Sequence, residues 1–215
     1  MKKQHIINIG YPKAGSSWLW TNLIKQRWFD QSGCDKENAW LINGKGIEEY
    51  INQYSQFNYS ANFNPAMFAI DRYLIEQLSD IATVRATIII RDPVDMLWSL
   101  YNFTNSSGDF NSAVPIMMEH GNHPGLIVRR WKEFFKDRFA TFLYDELSDT
   151  DFINRYSTHF DLPAPIKVDK TPINVTLYKS RRPKLSKDNK QFFYTMISEL
   201  EQELNISLTQ WIQKL

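Results

Sequence analysis

The chain lacks the features that mark secreted, membrane-spanning or strongly charged proteins. It has one cysteine, Cys34, in 215 residues, so no disulfide can form within it. Lysine and arginine total 25 against 24 acidic residues, a net charge of +1, so no overall charge favours nucleic acid or an anionic membrane as a partner. No stretch approaches the roughly 20 apolar residues of a membrane span. We therefore expect a cytoplasmic protein without a membrane span, in which any anion binding is local.

We also expect no secretory signal at the N-terminus. Its basic start leads into Ile6–Ile9, which is shorter than the apolar core of a signal peptide, about 7–15 residues. The composition, 43% hydrophobic and 23% charged, is that of a globular protein. The length fits a single domain over residues 1–215.

Strand-like and helix-like segments alternate along the chain. The runs Ile6–Ile9, Ala86–Ile90 and Ala140–Tyr144 are apolar and of strand length, and the second is so rich in β-branched residues that we expect it to be central. Segment Phe57–Pro65, rich in asparagine and aromatic residues, is predicted to be a loop. The alternation predicts an α/β fold, a single domain with a central parallel β-sheet flanked by helices. Ligands of such sheets bind beyond the carboxyl ends of the strands.

A glycine-containing loop joins the first strand to a helix. The stretch Gly10–Trp18 reads GYPKAGSSW, and a helix N-terminus after such a turn presents backbone N–H groups that bind anions. Gly10 and Gly15 have the spacing of a nucleotide P-loop, in which a lysine directly follows the second glycine. Here Ser16 follows it and the lysine is Lys13. The pattern indicates a phosphate-type cradle with a displaced lysine, although a plain surface turn is the alternative.

A second candidate anion site follows the strand Ala86–Ile90. Arg91 ends the strand, Asp92 is a good helix N-cap and Pro93 a good first helical residue. Ser99 lies on the helix face that looks back toward the strand end, so Arg91 and Ser99 can converge on one anion. The alternative is that Arg91 only pairs with a nearby carboxylate.

Both motifs carry a resemblance to a known family. The segment Pro12–Trp18 resembles the P-K-[ST/A]-G-[TS]-[TS]-W loop of sulfotransferases that use 3′-phosphoadenosine 5′-phosphosulfate (PAPS), and Arg91–Ser99 is similar to their R-D-P-x5-S signature. The resemblance spans nearly the whole chain and implies the P-loop-NTPase-like sulfotransferase fold. It implies that the loop holds the 5′-phosphosulfate and that Arg91 and Ser99 bind the 3′-phosphate. The donor-binding residues so implied are Lys13, Ala14, Gly15, Ser16, Ser17, Trp18, Arg91 and Ser99.

The resemblance also suggests the catalytic residues. The pair Lys36-Glu37 is similar to a K-E-x-x element of the family, whose glutamate is the general base, so Lys13 and Glu37 are the predicted catalytic residues. A solvated ion pair at a sheet edge is the alternative for this pair. His120 and His123 are rival bases. No cysteine or carboxylate cluster accompanies them, so we expect no metal site.

Three further segments receive a predicted role. The length and polar composition of residues 105–124 predict a flexible insertion or lid. The other two roles come from the resemblance. Tyr144, at the end of the strand Ala140–Tyr144, is the counterpart of a tyrosine near the adenine. Lys179, Ser180 and Arg181 belong to a basic run that would close over the nucleotide and its 3′-phosphate, although such runs are often only solvated surface.

The predicted function is transfer of a sulfuryl group from PAPS to a hydroxyl or amine of a small-molecule or carbohydrate acceptor, leaving 3′,5′-ADP. Trp40, Tyr59 and Phe63 are the predicted aromatic walls of the acceptor site, while the acceptor's identity and the oligomeric state stay open. One alternative is a P-loop-type ATP-dependent small-molecule kinase. Another is a non-catalytic nucleotide-binding protein, because Asn62–Pro65 lacks the lysine that the family often carries there.

Overall fold

The central element is a parallel β-sheet. The computed structural model describes residues 3–104, 107–118, 123–147, 149–169, 171 and 182–215. In this part of the chain, five strands pair only in parallel, in the order β2-β3-β1-β4-β5. The strands are β1 (Gln4–Asn8), β2 (Cys34–Lys36), β3 (Tyr59–Phe63), β4 (Val84–Ile90) and β5 (Phe139–Leu143). The predicted α/β fold is confirmed, and β4 is an interior strand as expected.

Helices cover the sheet. They are α1 (Ser16–Ile24), α2 (Ile47–Tyr54), α3 (Arg72–Ser79), α4 (Pro93–Phe103), α5 (Phe110–Met118), α6 (Pro124–Phe135), α7 (Thr150–His159), α8 (Lys187–Leu204) and α9 (Thr209–Ile212). Every residue of β1 is buried, which requires that helices pack on both faces of the sheet. Among the described residues, no helix combines the length and the apolar character needed to span a bilayer.

The prediction of a loop over Phe57–Pro65 is wrong, because this segment contains β3, which lies between β2 and β1. Its buried polar side chains Ser60 and Asn62 each make a hydrogen bond. Ser60 Oγ lies 2.8 Å from His5 Nδ1, and Asn62 Nδ2 donates to the Tyr50 hydroxyl at 3.1 Å. Composition misled the prediction because a strand tolerates polar residues where its neighbours supply partners.

Strand order makes β1 the switch point of the sheet. From β1 the chain builds β2 and β3 on one side and then crosses to build β4 and β5 on the other. A crevice forms at the carboxyl end of such a strand. The first residue after each of the other four strands is Glu37, Asn64, Arg91 and Tyr144, in chain order. Three of these are predicted site residues, so the sheet brings them to one edge.

Part of the predicted insertion at 105–124 is helical. Phe110 of α5 contacts the rings of Trp98 and Tyr101, with centroids 5.2 Å and 5.6 Å away. Asn111 Nδ2 donates to the carbonyl of Lys184 at 3.1 Å, ahead of α8. These contacts tie α5 to α4 and to the start of α8. A lid function for the segment stays a prediction.

Candidate active site

The loop after β1 leaves the N-terminus of α1 open. Gly15 caps this helix in the left-handed region (φ 85°), and no side chain caps the first turn. A Cβ at Gly15 would lie 2.4 Å from Leu147 Cδ1 and 3.2 Å from the Tyr144 ring. Only glycine therefore fits. An uncapped first turn is where a phosphate or sulfuryl group finds free N–H donors.

Lys13, in this loop, lies near two cations from other parts of the chain. Its ammonium is 4.2 Å from the ring centroid of Phe103, in the last turn of α4. Burial above all, and then the charges of Arg91 and Lys36, lower the pKa of Lys13 below its ordinary value. Because the charged form of Lys13 is disfavoured at this position, a bound anion would stabilise it.

Arg91 joins the two sequence motifs. Its Nη1 donates to the main-chain carbonyl of Lys13 at 3.0 Å, and its guanidinium lies 4.6 Å from the centroid of the Tyr144 ring. Ile90 and Leu143 are in register at the ends of β4 and β5, so Arg91 and Tyr144 emerge side by side. The loop, Arg91 and Tyr144 therefore form one wall.

The remaining residues of the loop differ in what they expose. Ala14 is fully buried and its N–H donates weakly to the Tyr11 carbonyl, at 3.4 Å. Ser16 is buried, whereas Ser17 is half-buried. Trp18 is 8% exposed, and its indole N–H donates to the carbonyl of Asp169 at 3.0 Å. Trp18 thus anchors a neighbouring segment to α1.

That neighbouring segment runs along α1. Asn22 Oδ1 accepts from the Asp169 N–H at 2.6 Å, and Gln26 exchanges hydrogen bonds with the N–H and carbonyl of Lys167, at 3.1 Å and 3.0 Å. Trp18, Asn22 and Gln26 are spaced by four residues and so share one helix face. This amide ladder leads the chain toward the N-terminus of α1.

The predicted residues Lys179, Ser180 and Arg181 lie outside the described part of the chain. The next residue, Arg182, is described, and its Nη1 lies 2.9 Å from Asp92 Oδ2 and 3.1 Å from Asp95 Oδ1. Asp92 caps α4 as predicted, accepting from Val94 and Asp95 N–H groups.

Ser99 follows Asp95 by one turn on the same face of α4. Residues 92, 95 and 99 share that face, so Arg182 reaches the helix on the side where the second motif presents its serine. Arg182 is a functional candidate that the sequence analysis missed. The signal was its position directly after the basic run.

Glu37 stands at the opposite end of the same sheet edge. Its N–H donates to the Phe63 carbonyl at 2.9 Å, and its carboxylate lies 3.3 Å from Lys36 Nζ, with 61% of the side chain exposed. Lys36 also contributes to the lowered pKa of Lys13, so it electrostatically links the two predicted catalytic residues.

Glu37 and Lys13 share an unusual backbone conformation. Five non-glycine residues in the described part have positive φ. Lys136, Asp161 and Asn205 lie at or just past helix ends; a left-handed residue such as Asn205 (ψ 44°) is common there, whereas Lys136 has ψ −120° and lies outside the αL region. Lys13 (φ 60°) and Glu37 (φ 65°) do not follow a helix end. Left-handed residues held by their surroundings concentrate at functional sites, which makes this pair a functional candidate.

Asparagines hold the backbone next to Glu37. Asn64 Nδ2 and Asn62 Nδ2 donate to the carbonyl of Asn38, at 2.9 Å and 3.3 Å. Asn38 in turn donates from Nδ2 to the Tyr54 hydroxyl at 2.9 Å. The two asparagines stand where a lysine was considered, and they are occupied in positioning the loop after β2.

The rival histidine His123 is engaged elsewhere. Its Nε2 lies 3.0 Å from Glu199 Oε2 of α8. The pKa of His123 is lowered, mainly by burial and to a smaller extent by the charge of Arg129, while the charge of Glu199 acts in the opposite direction. The other rival, His120, lies outside the described residues. In the part of the chain that the structure covers, no three His, Cys, Asp or Glu side chains gather as metal ligands would.

The predicted aromatic walls of the acceptor site are partly wrong. Tyr59 begins β3 at the amino edge of the sheet, opposite the site, and Phe63 is fully buried. Trp40 is half-buried, and the Lys45 ammonium lies 4.0 Å from the centroid of the Trp40 ring. Phe103, 65% exposed beside Lys13, is an aromatic candidate that was missed. Its signal was the spacing of four from Ser99.

Known proteins resemble this chain in structure rather than in sequence. No family model and no curated protein matches it. A sulfotransferase from Alicyclobacillus acidocaldarius has a TM-score of 0.71 at 13% identity, over 98% of this chain and 99% of that one. Mouse sulfotransferase SULT7A1, crystallised with PAP, has a TM-score of 0.53 at 12% identity, over 94% of this chain and 86% of that one. The α/β architecture described above is therefore the sulfotransferase fold.

Proposed function

We propose that the protein is a PAPS-dependent sulfotransferase. The observation that carries this proposal is the hydrogen bond from Arg91 to the Lys13 carbonyl. It brings the loop after β1 and the motif after β4 together, so both can contribute to one anion site. The open N-terminus of α1 and the clustered charges of Lys13, Lys36 and Arg91 suit a ligand with two anionic ends. The mouse neighbour crystallised with PAP, which is 3′,5′-ADP, supports the same class of nucleotide.

The order of strands suggests how the donor lies. The loop after β1 would hold the 5′-phosphosulfate through Lys13 and the N–H groups of Gly15–Ser17. Arg91 and Ser99, with the basic run at Lys179, Ser180 and Arg181, would hold the 3′-phosphate on the β4 side, with Tyr144 near the adenine. Glu37 follows β2, two strands away on the other side, roughly 10 Å at ordinary strand spacing. The acceptor would enter there.

Each residue then has one chemical task. PAPS supplies an activated sulfuryl group. Glu37 takes the proton of the acceptor hydroxyl or amine as the acceptor oxygen or nitrogen bonds to sulfur and the bond from sulfur to the phosphate oxygen breaks. Lys13 and the loop N–H groups neutralise the charge that grows on the leaving phosphate and on the sulfuryl oxygens. The products are the sulfated acceptor and 3′,5′-ADP.

The acceptor is proposed to be a carbohydrate or a small hydroxylated molecule, and we propose a cytoplasmic location. Support for this acceptor class comes from the exposed carboxylate of Glu37 and from the exposed ring of Phe103 beside Lys13. The test is a panel of sugars and small alcohols incubated with radiolabelled PAPS. Transfer to sugars but not to simple phenols or alcohols supports a carbohydrate acceptor, the reverse supports a small hydroxylated acceptor, and transfer to none of them contradicts both.

Calorimetry of nucleotide binding tests the donor. We expect the protein to bind 3′,5′-ADP more tightly than ATP with Mg²⁺. A preference for ATP would instead favour a small-molecule kinase, although the chain has Ser16 in place of the P-loop lysine and Asp92 is paired with Arg182. Binding of neither nucleotide would contradict both enzymes and leave a non-catalytic scaffold.

A further inference from the structure

The residues that follow Arg91 and Tyr144 are both acidic, and one short C-terminal segment contacts both. Asp92 follows Arg91 and Asp145 follows Tyr144, at equivalent positions past the paired ends of β4 and β5. The indole N–H of Trp211 donates to Asp145 Oδ2 at 3.0 Å. The Lys214 ammonium lies 3.8 Å from Asp92 Oδ2 and 3.9 Å from Asp95 Oδ2.

This segment, residues 208–215, is firmly packed. Leu208 and Trp211 are fully buried, and Ile212 and Leu215 pack against the core. A buried indole N–H bonded to a carboxylate is a charge-assisted hydrogen bond, stronger than a neutral one. The Lys214 pairs are longer and partly exposed, so each is weak alone. Trp211 is therefore the main anchor.

We propose that Trp211 and Lys214 are positioning residues for the 3′-phosphate side of the nucleotide site. Trp211 holds Asp145 and so fixes the turn that carries Tyr144. The Tyr144 ring in turn contacts the guanidinium of Arg91. Lys214 acts on the other strand end by balancing Asp92 and Asp95. Without Lys214, Asp92 and Asp95 lose one of the cations that balance them and keep the charges of Arg182 and Arg91, so they would repel an incoming phosphate more strongly.

The inference rests on the proposed function, because its readout is nucleotide binding. Calorimetry measures the ratio of affinities for 3′,5′-ADP and for 5′-AMP, which lacks the 3′-phosphate. A positioning role changes this ratio, whereas a merely structural role lowers the melting temperature and leaves the ratio as it is. Trp211→Phe keeps the ring bulk and removes the N–H donor.

We expect Trp211→Phe to reduce the ratio about tenfold and Lys214→Ala about threefold, as losses of a hydrogen bond to a charged group and of an exposed ion pair. Asp145→Asn keeps an oxygen acceptor for the indole and should preserve most of the ratio. Trp131→Phe is the matched control. Trp131 is equally buried, and its indole N–H has no hydrogen-bond partner among the described residues.

The possible outcomes separate the two proposals. If the wild type prefers 3′,5′-ADP and both variants keep the wild-type ratio, the positioning role is overturned and the proposed function stands. If Trp211→Phe does not fold, the ratio for Lys214→Ala decides. If the wild type binds neither nucleotide, the proposed function fails and the positioning role fails with it.

Discussion

Arg91 donates a hydrogen bond from its guanidinium to the backbone carbonyl of Lys13, 78 residues earlier in the chain, at 3.0 Å. The guanidinium keeps further donors for a ligand, because Arg presents five N–H groups. Its planar face meanwhile rests on Tyr144. The strand end, the loop and the aromatic ring therefore depend on one another, and a change at Arg91 should affect ligand binding and loop position together.

Arg91→Ala should weaken 3′,5′-ADP binding by about 2–3 kcal/mol, roughly 30- to 150-fold, because charge-assisted contacts with a phosphate are lost. The measurement is isothermal titration calorimetry. Arg155→Ala is the control, since Arg155 also lies over an aromatic ring, 5.5 Å from the Phe142 centroid, and pairs with Glu146. Equal affinities of Arg91→Ala and the wild type would refute the 3′-phosphate assignment.

Gly15→Ala should destabilise the fold and abolish nucleotide binding. Gly44→Ala is the matched control because Gly44 also has a left-handed backbone (φ 71°), but nothing lies within 4 Å of its Cβ position. In both variants the alanine is strained by the left-handed backbone, but only in Gly15→Ala does the added methyl group clash with Leu147 and Tyr144. We expect Gly15→Ala to lose about 1–3 kcal/mol more free energy of unfolding, measured by urea denaturation. Equal losses would mean that the loop repacks around the methyl group.

Lys13 should give nucleotide binding an alkaline limit. Its pKa is lowered from the ordinary 10.5, chiefly by burial. Lysine loses its charge as the pH rises through its pKa, so affinity for 3′,5′-ADP should fall at a lower pH than for an ordinary lysine. The phosphates do not interfere, since their second pKa is about 6.

The variant Lys13→Arg should remove this alkaline limit, because a guanidinium stays charged to beyond about pH 12. Calorimetric titrations from about pH 7 to about pH 10 measure it. Lys45→Arg, at a lysine that lies over Trp40, is the control and should keep the wild-type profile. Identical profiles for the wild type and Lys13→Arg would show that Lys13 is not the titrating group.

Glu37→Gln should keep 3′,5′-ADP affinity within about twofold and lower turnover of radiolabelled PAPS by about 10²–10⁴-fold, as loss of a general base does. Glu48→Gln, at an exposed acid in the first turn of α2, is the control. Unchanged turnover in Glu37→Gln would exclude Glu37 as the base. His120→Gln and His123→Gln would then be the next variants to assay.

His5 should make the fold sensitive to acid. Burial lowers the pKa of His5 to about 3 from its ordinary 6.5. As the pH falls below about 6.5, His5 becomes protonated in the unfolded chain, whereas in the folded chain it stays neutral down to about pH 3. The stabilisation from neutral His5 is therefore complete above pH 6.5 and is lost as the pH falls through this window.

The measurement is the free energy of unfolding in urea at about pH 7 and about pH 4, where the wild type should lose up to a few kcal/mol. His5→Gln should lose less between the two pH values. His159, whose pKa burial lowers to about 4, contributes in the same direction and remains in the variant. Equal pH dependence of the wild type and His5→Gln would contradict the assignment.

Local sequence patterns predicted the structure correctly where a residue's conformation depends only on its immediate neighbours in the chain. Asp92 and Pro93 predicted the start of α4 because capping and the fixed φ of proline are local properties. β3 was missed because Ser60 and Asn62 are tolerated only through partners on β1 and α2, more than ten residues away in sequence. Tyr59 was misplaced because a composition pattern does not say which edge of the sheet a residue occupies.

The sequence by itself determined the strand, loop and helix units around Lys13 and Arg91, since glycine spacing, caps and apolar runs act over a few residues. Only the tertiary structure decided that β1 is the switch point and that Arg91 reaches the Lys13 carbonyl. It alone showed that Arg182, Trp211 and Lys214 converge on the acids beside the site. Such contacts follow from strand order and helix packing, which bring distant parts of the chain together and leave no local mark in the sequence.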